Sequence, residues 1–232
     1  MIFGENRWEQ YNLYNVRYVV APEDRDFPAF VQPLQRFGRH LLYQVETTGY
    51  FDLVGSSLEF TGGRTDFFPA AMDWLAGELP SIKQHPTMFL GRHSTVDGGS
   101  FRGRVEASAG PSRGTVLSEE IGNNYFAAKV AVERESMLLL KATYHPNWRA
   151  TVNGVKTDTV MLMPSFVGIQ LSPGEHEVRI EYRPRGLRVI LLSLGLLSLL
   201  LIWIVEKRGG SLGSWFSLRV LNPISSAIKR RT

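Results

Sequence analysis

Met137-Leu-Leu-Leu-Lys-Ala-Thr-Tyr-His-Pro-Asn-Trp-Arg-Ala-Thr-Val-Asn-Gly154 reads as two strands and the corner that joins them. The first strand runs Met137–Tyr144. Pro146 lacks an amide proton and has a fixed φ, so it forces a bend. Trp148 opens the next strand, Arg149–Val152, which turns back at Asn153-Gly154, the residue pair that a type I′ hairpin needs because both of its central residues take φ > 0. On the C-terminal side, Thr159–Met163, Phe166–Leu171 and His176–Tyr182 have strand composition, with Pro173-Gly174 as a turn. On the N-terminal side the candidates are Thr87–Leu90, Phe101–Ala107, Thr115–Glu120 and Tyr125–Glu133, separated by Asp97-Gly98-Gly99, Gly110-Pro111 and Asn123-Asn124. Many short strands at this spacing predict a mainly β fold, an antiparallel β-sandwich of jelly-roll-like kind over residues 81–184.

Residues 1–80 read as a small α/β unit. Leu13–Ala21 is a predicted strand stopped by Pro22, His40–Thr47 is a second, and Phe27–Phe37, with Pro28 and Pro33, is expected to be a short irregular helix or loop. Thr65–Gly77 is the one clear helix before the C-terminal apolar run, with Thr65 or Asp66 as N-cap, Pro69 in its first turn and Gly77 at its end.

From Val189 to Val205 the chain runs VILLSLGLLSLLLIWIV, 17 residues without a charge. At 1.5 Å per residue it reaches roughly 26 Å, close to the ~30 Å hydrocarbon core, and Arg188 and Lys207 can snorkel to close the gap. A buried soluble helix would keep a polar face, and here the apolar character goes all the way round. The expectation is a transmembrane helix over 187–206, followed by a basic cytoplasmic tail over 207–232. Arg188, Trp203, Lys207 and Arg208 flank the span, with Trp203 at the inner boundary where aromatic belts form. Six Lys/Arg follow the span and three lie just before it, which places the C-terminus in the cytoplasm and the large domain outside. Gly195 and Ser198 offer a small-residue face to a neighbouring helix or to lipid. Trp215, Phe216, Leu218, Val220 and Leu221, beside Arg219, could lie on the inner leaflet or form a disordered tail.

The net charge of +4 hides an asymmetry, because residues before 183 sum to −4 while the remainder holds nine Lys/Arg against Glu206. Basic residues around an apolar run point to an anionic lipid surface; nucleic acid would need them clustered on the folded part. With no cysteine, disulfide frameworks and thiolate metal sites are excluded. Met1–Gln10 carries charges where a signal peptide has its apolar region. Together with the outward orientation, this predicts the last portion of a larger polytopic protein whose earlier helices, or a partner membrane subunit, handle export. A tail-anchored cytoplasmic protein is the alternative.

The order Tyr144-His-Pro-Asn-Trp148, then Val152-Asn-Gly154, then a strand, then Pro173-Gly-Glu-His-Glu-Val-Arg-Ile-Glu-Tyr-Arg-Pro184, then a terminal membrane helix, resembles the C-terminal end of YfhO-like bacterial membrane proteins. Members commonly carry a Tyr-Tyr-Pro-Gly-Trp-like motif and a Val-Asp-Gly turn, which His145, Asn147 and Asn153 vary. The likeness covers about residues 136–208, and Tyr14–Val20 and Leu41–Val45 resemble the strands preceding that module. The family is similar in architecture to GT-C glycosyltransferases, which take sugar from a polyprenyl-phosphate donor outside the membrane. The resemblance implies an accessory domain in glycosyl transfer to a cell-envelope lipid or polymer. It assigns no catalytic residue, since the catalytic acid of such enzymes lies in an early loop between membrane helices. The rival reading is a membrane-anchored, non-enzymatic module that binds a glycan or a protein.

Tyr144, His145, Pro146, Asn147, Trp148, Asn153 and Gly154 are the candidate site. Tyr144, His145 and Trp148 could stack on sugar rings, but large aromatics are more often core residues, and core packing with Pro146 shaping the corner is the expected role. The five histidines, His40, His85, His93, His145 and His176, show no metal-ligand spacing, so neither metal nor cofactor is expected. Gly62-Gly63 and Asp97–Ser100 read as turns, without the lysine or following helix of a phosphate loop. Ser118-Glu119-Glu120 reads as a solvated face, because adjacent strand residues point to opposite sides.

Overall fold

The computed structural model describes residues 3–90, 100–104, 112–184 and 186–208. Contacts divide the chain into Met1–Arg183 and Pro184–Thr232. The first unit is mainly β, with three sheets. A three-stranded sheet has the order β1 (Tyr18–Pro22), β3 (His40–Val45), β2 (Val31–Phe37). A seven-stranded sheet has the order β4 (Phe51–Val54), β10 (Ser136–Thr143), β14 (Phe166–Leu171), β13 (Val160–Leu162), β6 (Thr87–Leu90), β5 (Leu58–Gly62), β7 (Ser100–Gly103). A five-stranded sheet has the order β12 (Val155–Thr157), β11 (Trp148–Val152), β15 (Gly174–Tyr182), β9 (Tyr125–Val132), β8 (Gly114–Ile121).

The main core is the sandwich interior. From the seven-stranded sheet come Phe51, Leu53, Leu138, Leu140, Val167, Ile169 and Leu171, and from the five-stranded sheet Ala128, Val130, Val132, Ala150, Val178 and Ile180. Alternation puts Leu139, Val54, Phe60 and Met88 on the other side of the larger sheet, where they pack with Ala70, Trp74 and Leu75 of α2 (Arg64–Ala76) and with Leu13 at the end of α1 (Trp8–Leu13). β10 is thus apolar on both faces, which explains its unbroken run of leucines. A third cluster, Tyr11, Ala21, Val31, Tyr43 and Val45, lies beneath the three-stranded sheet.

From 114 to 182 the strands fall within a residue or two of expectation. β12 is an addition, completing the hairpin with β11 through Ala150↔Thr157 and Val152↔Val155. Asn153 (φ 51°) and Gly154 (φ 80°) supply the two left-handed residues that this turn needs.

Three N-terminal expectations are corrected and two strands are added. Residues 27–37 contain a strand, β2, because Pro33 sits on an edge strand at a bulge between Pro33 and Gln35, where a missing amide breaks no ladder. Trp8–Leu13 forms a helix, so Leu13, expected to open a strand, closes α1 and the strand begins only at Tyr18. Residues 51–62, for which no element was expected, supply β4 and β5, which share a sheet with β6, β10, β13 and β14. The N-cap of α2 is Gly63, and Asp66 acts three residues into the helix, its Oδ2 accepting the Gly63 amide at 2.9 Å. Gly62-Gly63 is therefore a strand-to-helix junction with a carboxylate already at the helix start. The turns at 97–99 and 110–111, the residues 105–107 and His93 lie outside the described residues.

The second unit contributes α3, Leu187–Arg208, whose stretch Ile190–Lys207 has a mean hydropathy of 2.1 and is long and apolar enough to cross a membrane. Ser198 turns its hydroxyl back onto the Gly195 carbonyl at 2.8 Å, satisfying it within the helix. Lys207 Nζ stands 4.7 Å from the centre of the Trp203 ring, a cation–π pair at the C-terminal end. The side chains of Arg188 and Arg208, and the tail 209–232 with Trp215–Leu221, lie outside the described set.

Candidate functional site

The corner between β10 and β11 is held mainly by the backbone. The Tyr144 amide donates to Ser165 O at 2.6 Å, the Trp148 amide to His145 O at 3.0 Å, and the Arg183 amide to Asn147 O at 3.1 Å, which ties the corner to the end of β15. His145 Nδ1 accepts the Asn147 amide at 3.1 Å, so its ring proton sits on Nε2. Pro146 is exposed and its carbonyl accepts Arg149 Nη1 at 2.7 Å, while Asn147 is buried.

Tyr144 and Trp148 are half-buried and pack against the sandwich core. The Trp148 indole N–H donates to Thr143 O at 3.0 Å, which fixes the ring. Ring contacts then run in a row: Tyr50 to Phe126 at 5.2 Å, Phe126 to Trp148 at 6.1 Å, Trp148 edge-on to Tyr182 at 5.2 Å, and Tyr182 to His145 at 5.6 Å. His145 is exposed at the end of the row and Tyr182 is half-buried. Asn153 and Gly154 belong to a different place: Asn153 Oδ1 accepts the Glu177 amide and the Asn153 amide donates to Glu177 O, both at 2.8 Å, pinning the hairpin tip to β15. The seven candidates thus form a corner of five residues and a separate turn of two.

Behind the larger sheet lies a charged cluster that was not among the sequence candidates. Asp52 on β4 and Lys141 on β10 project from its helix-covered face, and their charged atoms are 3.0 Å apart, with the Lys141 side chain 1% exposed. Lys141 Nζ has three acceptors for its three protons: Asp52 Oδ2, Thr48 Oγ1 at 2.9 Å and Asn12 Oδ1 at 3.3 Å. Half-exposed Lys83 donates to the other Asp52 oxygen at 2.9 Å. Burial would raise the Asp52 carboxyl, but the two ammonium groups and their hydrogen bonds outweigh it and hold it below the ordinary value. Burial lowers Lys141, with Asp52 offsetting part of the effect.

His85, buried beside this cluster, bonds through Nδ1 to the carbonyl of Met163 at 2.7 Å, and its ring lies 5.0 Å from that of Trp74. Burial pushes it down to about 4, so the imidazole is neutral at pH 7. A cavity of about 60 Å³ touches Asp52, Lys83, His85 and Lys141. That is room for water rather than for a sugar. With every Lys141 proton already taken, the cluster is a fastening between α1, β4 and β10. The signal that could have found it is a charge inside an apolar strand, twice: Phe51-Asp-Leu-Val and Leu140-Lys-Ala.

Glu119 is likewise no solvated carboxylate. Its two oxygens accept the amides of Tyr50 and Phe51 at 3.0 and 2.8 Å, joining β8 to the start of β4, and Gly49 (φ 89°) leaves room where a Cβ would stand 2.5 Å from Glu119 Oε2. Glu120 is exposed and accepts the Tyr125 hydroxyl. Among the described residues no group of three His, Asp or Glu side chains is placed to hold a metal ion.

The corner, the hairpin and β15 all fall within one matched stretch. Residues 112–193 match the family described as bacterial membrane protein YfhO. The stretch runs from just before β8 into the first turns of α3, so the YfhO likeness joins the five-stranded sheet, the core strands β10 and β14 and the start of the apolar helix in one unit of sequence. It bears out the YfhO-like resemblance seen in the sequence, and it makes this a membrane-protein domain associated with a lipid bilayer. No curated protein and no solved structure matches the chain.

Proposed function

We propose that this chain is the extracytoplasmic accessory domain of a polytopic YfhO-like membrane protein, engaged in glycosyl transfer to a cell-envelope lipid or polymer. On this reading the corner Tyr144–Trp148 with Tyr182 contacts the sugar. The observation that carries it is the row of rings ending in exposed His145, inside the matched stretch. Sugar C–H faces stack on such rings while imidazole Nε2–H reaches a hydroxyl. The same rings also close the sandwich, so Tyr144 and Trp148 serve the core whether or not a glycan binds. Catalysis is assigned to no residue of this chain.

The test has two parts. The full chain in detergent micelles is titrated with neutral oligosaccharides, maltopentaose and chitopentaose, alongside His145→Ala and Trp148→Ala. Lower affinity in variants that keep the wild-type circular dichroism spectrum supports the sugar contact; unchanged affinity in both sinks it. Protease added to spheroplasts should digest the β domain, and complete protection would overturn the outward orientation. The second reading, a non-enzymatic anchored binding module, draws on the same corner and gains if the variants lose binding while membranes keep full glycosyl transfer.

A further inference from the structure

The outer face of the five-stranded sheet carries chemistry that neither the corner nor the buried cluster uses. Inner residues of β11 and β15 (Ala150, Val178, Ile180) are buried, so the residues between them face solvent. Register sets these in two rows. Lys156 on β12 pairs with Thr151 on β11, which pairs with Arg179 on β15; one step along, Arg149 pairs with Glu181, which pairs with Tyr125 on β9. The rows line a groove of about 560 Å³ in which Arg149, Lys156, Arg179 and Arg183 face two carboxylates, Asp158 and Glu181.

The arginines are held in place before any ligand arrives. Arg179 Nε and Arg183 Nη2 each donate to Glu181 at 2.7 Å, and those hydrogen bonds keep Glu181 below the ordinary carboxylate value and therefore ionised. Arg179 also lies over the Tyr125 ring, 3.6 Å from its centre. Arg149 Nη1 donates to the carbonyls of Pro146 and Trp148 at 2.7 and 2.9 Å. Among the described residues, Arg149 Nε and Nη2 and Arg183 Nη1 donate to no protein group. Such pre-ordering removes part of the entropy cost of binding. The basicity is local, because the chain before residue 183 is net acidic.

We propose that this groove binds the phosphoryl group of a phosphomonoester or phosphodiester. Guanidinium forks take two oxygens at a time, and several cations around one volume suit a tetrahedral group with three or more oxygens better than a planar carboxylate. Thr151 and Thr157 line the same groove and add hydroxyl donors. A phospholipid headgroup and a soluble phosphate share this chemistry. The inference goes beyond the sugar contact proposed above and stands on different residues.

The test uses the full chain in dodecyl maltoside micelles, titrated calorimetrically with inorganic phosphate and, separately, with dihexanoyl-phosphatidylglycerol. The proteins compared are wild type, the double variant Arg149→Gln/Lys156→Gln, and Arg36→Gln on the three-stranded sheet as a control. Losing two charge-assisted contacts at exposed positions should weaken binding about tenfold in the double variant and leave the control unchanged. Binding of the lipid alone assigns the source to a headgroup, and binding of both assigns it to the phosphoryl group as such. The cations flanking α3 are present in every protein compared, so their contribution cancels. Equal affinities in wild type and double variant, or no binding of either ligand, would overturn the proposal.

Discussion

Acidification should unfasten the fold at His85 before the carboxylates titrate. In the unfolded chain this imidazole has its ordinary value of 6.5, and in the fold burial lowers it to about 4. Above 6.5 both states are neutral there and His85 adds no pH dependence. As pH falls through 6.5 the unfolded state takes up a proton that the folded state refuses, so stability declines until about pH 4, where the folded form also protonates. At ~1.4 kcal/mol per pH unit of displacement, the full loss is ~3 kcal/mol. The groups around the ring oppose each other: Asp52 on β4 favours the imidazolium, Lys141 on β10 and Lys83 disfavour it, and the Met163 carbonyl accepts its Nδ1 proton. Urea unfolding of the full chain in micelles, followed by tryptophan fluorescence between pH 7.5 and 4.5, measures the slope. A His85→Gln variant, which can still donate to Met163, should be less stable at pH 7.5 yet nearly flat over that window. Asp52, itself held low by the two lysines, enters only at more acidic pH. Parallel slopes in wild type and variant would refute the reasoning.

Lys141→Ala should destabilise the domain by about 3–5 kcal/mol in the same unfolding experiment, because it strips a buried carboxylate of one counter-ion; Lys141→Met with Asp52→Leu should recover most of the loss. A Cβ at Gly154 meets no atom within 4 Å, so the loss of about 1–2 kcal/mol expected for Gly154→Ala comes from the left-handed backbone at φ 80°, read as a shift in the urea midpoint. Leu197→Arg places a charge mid-helix in α3, an insertion penalty of about 2.5–3.5 kcal/mol, and should release a fraction of the chain from membranes on carbonate extraction.

Where the sequence was legible, short-range rules were in charge. Asn153-Gly154 fixed a hairpin because two left-handed residues in a row admit few alternatives, and the strands from 114 to 182 announced themselves by β-rich composition between turns. Pro33 misled for the opposite reason: proline forbids a central strand but not an edge, and edge position is a property of the whole sheet. The short helix α1 owes its place to packing, with Leu13 and Tyr11 buried in two different clusters, rather than to a strong local pattern. Of the candidate site, Trp148 and Tyr144 could be placed at a corner, but which rings they would meet depended on register between β9, β11 and β15. The Asp52–Lys141 pair joins residues almost ninety positions apart, and no spacing rule connects them. Only their presence inside apolar strands hinted that each needed a partner.

The pairing of β4 with β10 limits how freely the matched stretch can travel. Residues 112–193 include β10 but not β4, whose four residues oppose Met137–Leu140. Cut out at its own borders, the stretch would carry a bare strand edge rich in leucine and, next to it, an ammonium group deprived of its carboxylate. The first invites edge-to-edge aggregation and the second opposes burial of the same surface. A protein that borrows this stretch therefore inherits a requirement along with it: a short strand, apolar on one face and acidic at a single position on the other, contributed from earlier in its chain or from a neighbouring one.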